Sequence, residues 1–527
     1  MKQLYAAVIC GVTVLALCGS ASALTVGVND DAPKDGGVSA WFFSTMQSEG
    51  LADDAISVRW DETNPTAIPA QSNIATAIAK ANANGVSVEL DLYPLHSQAL
   101  TDAKRCDPSS DPEACGDSAN IAAFGTWTAS VASAFPSIHQ FVVMNECNQP
   151  LFINPQWFSN ATNSTADKST VNQSAEVCGR ALAAAYDALH AENSSNFVWG
   201  IGLSPRGNDQ PDASSNSSTK PVTFLHALGA WFTAFAAKTH RTAPLMDGLD
   251  DHPYPIPQSQ PFAQGYGDPL EASVSNLPRI YQAFYDGFKS SPQKTIGQQS
   301  GGGLKVSLNE TGIQTAPGSH AAAYSGNEIS ANSAGGVIPP YDSESYQSSW
   351  YTQMLNLVAC DPNVAVVNIF HLIDESDLAG WQSGLYFADQ QPKQSAGAVA
   401  NWISTTHGNC TGTPSSFIPT GAVAATTTTT TTTTTTKGAT ASLTVPAGCT
   451  GACAKALKAA ATACASTTAT KKSCKQALTA AQKQLAVLQK KVKKTKGAAA
   501  KTKLNATIKG VKSMLSSYNA KAKKLKK

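Results

Sequence analysis

The chain has 527 residues, 38 of them basic and 37 acidic, so its formal charge is close to zero. That balance conceals a division: residues 437–527 hold 21 lysines and no Asp, Glu or Arg, which leaves an excess of 20 negative charges in the 436 residues before them. Beyond the first two dozen residues no apolar run approaches the ~20 residues that a membrane-spanning helix needs, so a transmembrane protein is not expected.

In chain order, the first segment has the composition of a secretory signal. Lys2 precedes an apolar stretch from Ala6 to Leu17, and Ala21-Ser22-Ala23 offers a small-residue cleavage site before Leu24. The remainder is expected to be secreted and extracellular, or associated with the cell envelope. Losing Cys10 and Cys18 leaves ten cysteines, an even number that predicts disulfides in an oxidising compartment. Short separations suggest Cys106–Cys115, Cys147–Cys178 and Cys360–Cys410, with the last four paired among themselves. No CxxC pair or histidine cluster accompanies them, so neither a metal nor an organic cofactor is implied.

From Leu24 to about Gly408 short apolar runs alternate with longer amphipathic ones, the pattern of repeated β-α units. Eight strands are predicted: Thr25–Val28, Ile56–Trp60, Val86–Leu92, Phe141–Asn145, Phe197–Leu203, Met246–Asp251, Lys305–Asn309 and Val364–Leu372. Helices are predicted at Ile74–Ala83, Ile121–Ala134, Ala175–Ala191, Phe224–Ala237, Val274–Phe288 and Ser345–Val358, with Ala396–Ser404 closing the ring. Eight units point to an α/β fold, a (β/α)8 TIM barrel over residues 24–410. A doubly wound open sheet competes, but no GxGxxG or P-loop follows an early strand. Residues 411–436 form a Thr/Pro/Ser-rich linker that includes eleven consecutive threonines, Thr426–Thr436. Residues 437–527 read as a small all-α, disulfide-stapled appendage, with Leu478, Ala481, Leu485, Leu488 and Val492 at heptad spacing and a second such run from Leu504 to Tyr518.

In such a barrel, function sits at the C-terminal ends of the strands. Two Asn-Glu dipeptides, Asn145-Glu146 and Asn309-Glu310, each close an apolar run. Two carboxylates facing one sugar ring are what glycosidic bond cleavage needs: one protonates the departing oxygen and the other attacks or stabilises the anomeric carbon. The other predicted strand ends carry Arg59, Trp60, Asp91, Tyr93, His252, Tyr254, Asp374 and Glu375, polar and aromatic groups suited to sugar hydroxyls and C–H faces.

At these residues the chain resembles the clan A retaining glycoside hydrolases, families five and thirty-nine in particular. Ser57-Val-Arg-Trp60 resembles the second-strand element of that clan, Asp251-His-Pro-Tyr-Pro255 the sixth-strand His-x-Tyr element, and Gly380-Trp-Gln-Ser-Gly-Leu385 with Gln391-Pro-Lys393 the stretch around the eighth strand. Cys147 stands where the clan often has proline. The resemblance covers about Leu24–Gly408 and implies Glu146 as acid/base and Glu310 as nucleophile of a double displacement. It further implies that Arg59 and Tyr254 hold Glu310 ionised, that His252 supports the pair, that Asn145 bonds the sugar 2-hydroxyl, and that Trp381 is the platform under the ring. Glu146 is expected to start protonated, in a less polar setting.

Bland alternatives stand beside these. His252 alone is more often a structural histidine, Arg59 has Asp61 and Glu62 as nearby surface partners, and Trp381 has the core as an alternative. The expected substrate is a polysaccharide or oligosaccharide with β-linked O-glycosidic bonds. The competing class is a non-hydrolytic carbohydrate-binding or cell-wall-associated barrel tethered by its basic tail. The lysines suit an anionic cell-wall polymer or acidic polysaccharide. Nucleic acid is not expected as a physiological partner of an exported protein.

Overall fold

The computed structural model describes residues 23–35, 38–101, 116–157, 172–211, 217–297, 303–327 and 342–421, with isolated positions between 479 and 508. The signal segment, the Cys106–Cys115 pair, the last four cysteines, the threonine run and nearly all of the lysine-rich tail lie outside the described residues. The chain divides into two compact units, 1–427 and 428–527. No helix among the described residues is long and apolar enough to cross a membrane.

Eight parallel strands close into a barrel in sequence order. They are β1 (Thr25–Asn29), β2 (Asp53–Trp60), β3 (Ser87–Pro94), β4 (Gln140–Val143), β5 (Phe197–Leu203), β6 (Gly248–Asp251), β7 (Lys305–Thr311) and β8 (Val364–Ile369), with β8 pairing back onto β1. Each predicted strand matches one of them. The helices are α1 (Ala32–Asp35), α2 (Ser39–Glu49), α3 (Gln71–Ala83), α4 (Ser118–Ala134), α5 (Gln173–Glu192), α6 (Pro221–Thr239), α7 (Leu277–Phe288), α8 (Glu344–Val358) and α9 (Gln394–Thr406). The sequence patterns miss α2, whose Ser-Ala-Trp-Phe-Phe-Ser-Thr-Met run has little helical amphipathicity although Phe42, Phe43 and Met46 are wholly buried. Its end is marked by Gly50, left-handed at φ 78°, which caps the helix by donating to the carbonyls of Gln47 and Met46.

Side-chain caps fix where other helices begin. Asp117 accepts from the amides of Ala119 and Asn120 ahead of α4, and Asn172 accepts from Ala175 ahead of α5. Two expected disulfides are present, Cys147–Cys178 and Cys360–Cys410, with Cα atoms 6.2 and 4.6 Å apart. The second draws residues 411–421 onto the barrel. Ser415 donates to the Cys360 carbonyl at 2.6 Å, Phe417 packs edge-on to Tyr281 at 5.3 Å, and the Thr420 amide reaches Gln282 at 2.7 Å. The stretch expected to be linker therefore starts on the barrel wall.

The barrel interior is polar where branched aliphatic residues usually stack. Asn368 of β8 donates to Asp53 of β2 at 3.1 Å and to Glu89 of β3 at 3.1 Å, and contacts Asn309 of β7 at 2.9 Å. Asp91 of β3 accepts from Asn309 at 3.0 Å and from Asn29 of β1 at 3.2 Å. A separate apolar cluster of Val142, Trp199 and Val366 accompanies this layer. Amides from three strands serve as the donors that buried carboxyl groups require.

Candidate active site

The site is assembled by β4, β6 and β7, whose ends place three ionisable groups within reach of one another. Chain direction breaks sharply after β4: Met144 and Glu146 both have left-handed backbones, φ 70° and 35°, on either side of Asn145. Non-glycine residues adopt this conformation at a cost, and it persists only where the surroundings impose it. Here the Met144 amide is held by the Leu92 carbonyl at 2.9 Å and the Glu146 amide by the Gly202 carbonyl at 2.7 Å. Cys147 is tied by its disulfide to α5. The turn thus presents the Glu146 side chain, 18% exposed, toward the barrel axis. Glu310 arrives from β7, where the pairing register with β8 shifts between Leu308 and Thr311, and its side chain is 15% exposed.

His252, immediately after β6, is wholly buried and links the two. Its Nδ1 lies 3.5 Å from Glu146 Oε1 and 3.4 Å from Glu310 Oε2, while Nε2 lies 3.3 Å from Asp250 Oδ2. One carboxylate oxygen of each glutamate and a ring nitrogen of His252 all fall within 4.8 Å of one another. Burial works to neutralise the imidazole, but Glu310, Asp250 and Glu146 outweigh it and hold its pKa well above the ordinary value. Tyr254 donates its hydroxyl to Glu310 Oε2 at 3.2 Å. Its ring lies 5.0 Å from Trp381 and 6.1 Å from Phe370, and these two meet edge-on at 5.6 Å. The half-buried Phe370 and Trp381 thus form an aromatic wall beside the carboxylates.

Four expected residues come together here, Glu146, Glu310, His252 and Tyr254, with Trp381 against Tyr254 and Asn145 in the turn, its Oδ1 close to Gly202. Arg59 does not join them as expected. It is exposed at the end of β2 and has no hydrogen bond or ion pair among the described residues, with Glu310 or with Asp61 or Glu62. The electrostatic expectation for Glu310 is also corrected. Burial, reinforced by Glu146 and Asp250, pushes its carboxyl up to about 7, against the opposing pull of His252 and the Tyr254 hydroxyl. The positive partner of this site is a histidine rather than an arginine.

Several other strand-end candidates serve the scaffold. Trp60 is wholly buried, packed on Phe124 at 5.7 Å, with its indole N–H on the Pro65 carbonyl. Asp91 lies in the polar interior rather than at the rim. Asp374 forms a fully buried ion pair with Lys393 at 2.7 Å and accepts from Tyr324 at 2.6 Å and the Gly384 amide at 2.8 Å. That pair braces the loop after β8, in which the Glu375 amide donates to the Trp381 carbonyl at 3.1 Å. Tyr93 does stand near the mouth, edge-on to Phe152 at 5.8 Å. Asp250 and Phe370 were not singled out from sequence. The signal for Phe370 was its place at the end of an apolar run, but Asp250 looked like one half of an ordinary Asp-Asp pair. Ligand-type atoms of Asp61, Glu62 and His96 also lie within 4.8 Å of one another, where His96 Nδ1 simply pairs with Glu62 at 3.0 Å.

No protein-family model matches the chain, and no curated protein matches it. Solved structures similar to it include a family 39 glycoside hydrolase from the gut symbiont Bacteroides cellulosilyticus, at 13% identity and TM-score 0.46 over 72% of this chain and 63% of that one. A GH5_18 protein of Streptomyces cattleya matches at 14% identity and TM-score 0.44 over 72% and 80% of the two chains. An exo-β-1,4-mannosidase of an Opitutaceae bacterium matches at 14% and 0.39, over 73% and 59%. This chain spans less than two thirds of the length of the first and third. Likenesses this distant leave the chemistry to be argued from the side chains themselves.

Proposed function

We infer that the barrel is a glycoside hydrolase that cleaves β-linked O-glycosidic bonds in an oligosaccharide or polysaccharide with retention of configuration. The observation that carries this is the approach of Glu146 and Glu310, with carboxylate oxygens within 4.8 Å at the C-terminal mouth of the barrel. Double displacement needs carboxyl groups about 5–5.5 Å apart, whereas an inverting pair leaves room for water at about 6.5–9.5 Å.

In the productive form Glu146 carries a proton and Glu310 is ionised. Glu310, steadied by the Tyr254 hydroxyl and His252, attacks the anomeric carbon while the bond to the leaving oxygen breaks and takes the Glu146 proton. The ester that forms removes the charge from Glu310. Glu146, now ionised, accepts a proton from water, whose oxygen attacks the same carbon and releases Glu310. Asn145 bonds the 2-hydroxyl, and the Trp381 and Phe370 wall stacks on the sugar. Export and the basic tail fit action on an extracellular polymer, the tail adding affinity for an anionic one.

The test is hydrolysis of a panel of aryl β-glycosides and extracellular polysaccharides. Glu310→Gln should abolish turnover, and Glu310→Gly with azide should release a glycosyl azide of inverted configuration. Full activity in Glu310→Gln would refute the assignment.

A further inference from the structure

The ion pairs around His252 reach one residue to which double displacement gives no task. Asp250 is wholly buried two positions before His252, and its Oδ2 lies 3.3 Å from Nε2, on the opposite side of the ring from the glutamates. The Asn309 amide, next to Glu310 in the chain, donates to Asp250 Oδ1 at 3.3 Å. The Asp250 carboxylate is therefore fixed by the same strand that carries Glu310, and the imidazole is clamped between it and two further carboxylates.

We propose that Asp250 is a positioning residue that holds the His252 ring between the two glutamates, so that one fixed cation serves Glu310 in the first half of the reaction and Glu146 in the second. This rests on the glycosidase reading above. Negative charge resides on Glu310 before the ester forms and on Glu146 after it. The near-equal distances from Nδ1, 3.4 and 3.5 Å, let the ring face either carboxylate without moving. A neutral ring with its proton on Nε2 would instead turn a lone pair toward both glutamates. Asp250 disfavours a neutral ring by stabilising the imidazolium, and does so only while it retains its own charge; burial raises its carboxyl pKa while His252 and the Asn309 amide pull it back down. The ionisable groups surrounding the pair are Glu89 and Asp91 from β3, Glu146 after β4, Asp251 from β6, Tyr254 after it and Glu310 from β7. His252 is the cation among them.

The first test needs no turnover. In full-length protein labelled with 15N at its nine histidines, the His252 resonances, assigned by their loss in His252→Gln, should show both ring nitrogens protonated at pH 6.5. Asp250→Asn should lower the His252 titration midpoint by about one pH unit or more, the effect of removing an adjacent opposite charge. A neutral His252 in the unaltered protein at pH 6.5, or an unmoved midpoint in Asp250→Asn, overturns the proposal whether or not the protein hydrolyses glycosides. The first of these outcomes does not depend on the variant folding. In turnover, Asp250→Asn should lower kcat with little change in KM and move the acid limb of the pH profile upward, because Glu310 loses cationic support. That shift should disappear when Asp250→Asn is made in a His252→Gln background, and an equal shift in both backgrounds would show that Asp250 does not act through His252.

Discussion

Carboxyl groups buried in and around the barrel should make this protein more stable in acid than at neutral pH, the reverse of the usual fall in stability on acidification. Burial raises Asp30 from 3.8 to about 7, Asp53 from 3.8 to about 6 and Glu310 from 4.5 to about 7. A carboxyl raised on folding keeps its proton in the folded state through the interval in which the unfolded chain has already lost it. Its contribution is complete below the unfolded value and is lost as pH rises toward the folded one. Between pH 5 and 6 these three groups together bind about two and a half more protons when folded. His371, which burial drives down to about 3, opposes them by one, because the unfolded chain protonates that ring in the same interval. His252, raised on folding, is protonated in both states there and contributes only above pH 6.5. The net of about one and a half protons corresponds to roughly 2 kcal/mol of stability lost per pH unit. Asp54, Glu89, Asp91 and Asp251, all wholly or almost wholly buried and all raised well above their ordinary values by desolvation, act in the same direction. Urea or thermal unfolding followed by circular dichroism at pH 5, 6 and 7 should give midpoints that fall monotonically. Asp53→Asn should reduce the slope between pH 5 and 6 by about 0.7 proton, roughly 1 kcal/mol per pH unit. Midpoints that stay level or rise from pH 5 to 7 would refute the argument.

Three further outcomes follow from the site and its supports. With Glu310 raised to about 7, kcat/KM should increase with pH through an acid limb near neutrality. On a dinitrophenyl glycoside, whose leaving group needs no proton, Glu146→Gln should move that limb to lower pH in the first, glycosylation step, since a neighbouring negative charge is gone; an unmoved limb would break the electrostatic link between the glutamates. Tyr254→Phe removes the 3.2 Å hydrogen bond to Glu310 and should reduce kcat about ten- to a hundredfold with the melting curve nearly unchanged, as the loss of a hydrogen bond to a charged group of about 1.5–3 kcal/mol would do. Lys393→Met leaves Asp374 buried without its cation and should cost about 3–5 kcal/mol in denaturant unfolding while raising KM through the loosened Trp381 loop; wild-type stability would show that the pair braces nothing.

The pattern of apolar runs was sufficient for the barrel. The strands keep apolar runs on their helix-facing side even where the barrel interior is polar, and each must be followed by a helix that returns the chain, so eight such repeats leave little choice of architecture. Glu146 and Glu310 were visible for the same reason, as polar residues where an apolar run stops, and the Asp251-His-Pro-Tyr-Pro255 element was legible as a motif. Helix α2 was not: its wholly buried Phe42, Phe43 and Met46 share one helical face, but the adjoining Ala40 and Trp41 make a continuous apolar run that blurs the period in so short a segment.

What only the tertiary structure decided is which way each side chain of a strand turns and what it meets across the barrel. Asp53 and Asp54, like Asp250 and Asp251, are indistinguishable as dipeptides. Closure sends Asp53 to Asn368, and sets Asp250 with Oδ2 at ion-pair distance from His252 and Oδ1 accepting from the Asn309 amide, while neither carboxylate oxygen of Asp54 or Asp251 accepts a hydrogen bond among the described residues. By sequence Arg59, and not His252, was the expected cation beside Glu310. The relative offset of strands 2, 6 and 7 left the arginine in solvent and set the histidine between two carboxylates. Facing alternates at every residue along a strand, and the offset between strands far apart in the chain is fixed by closing the barrel as a whole.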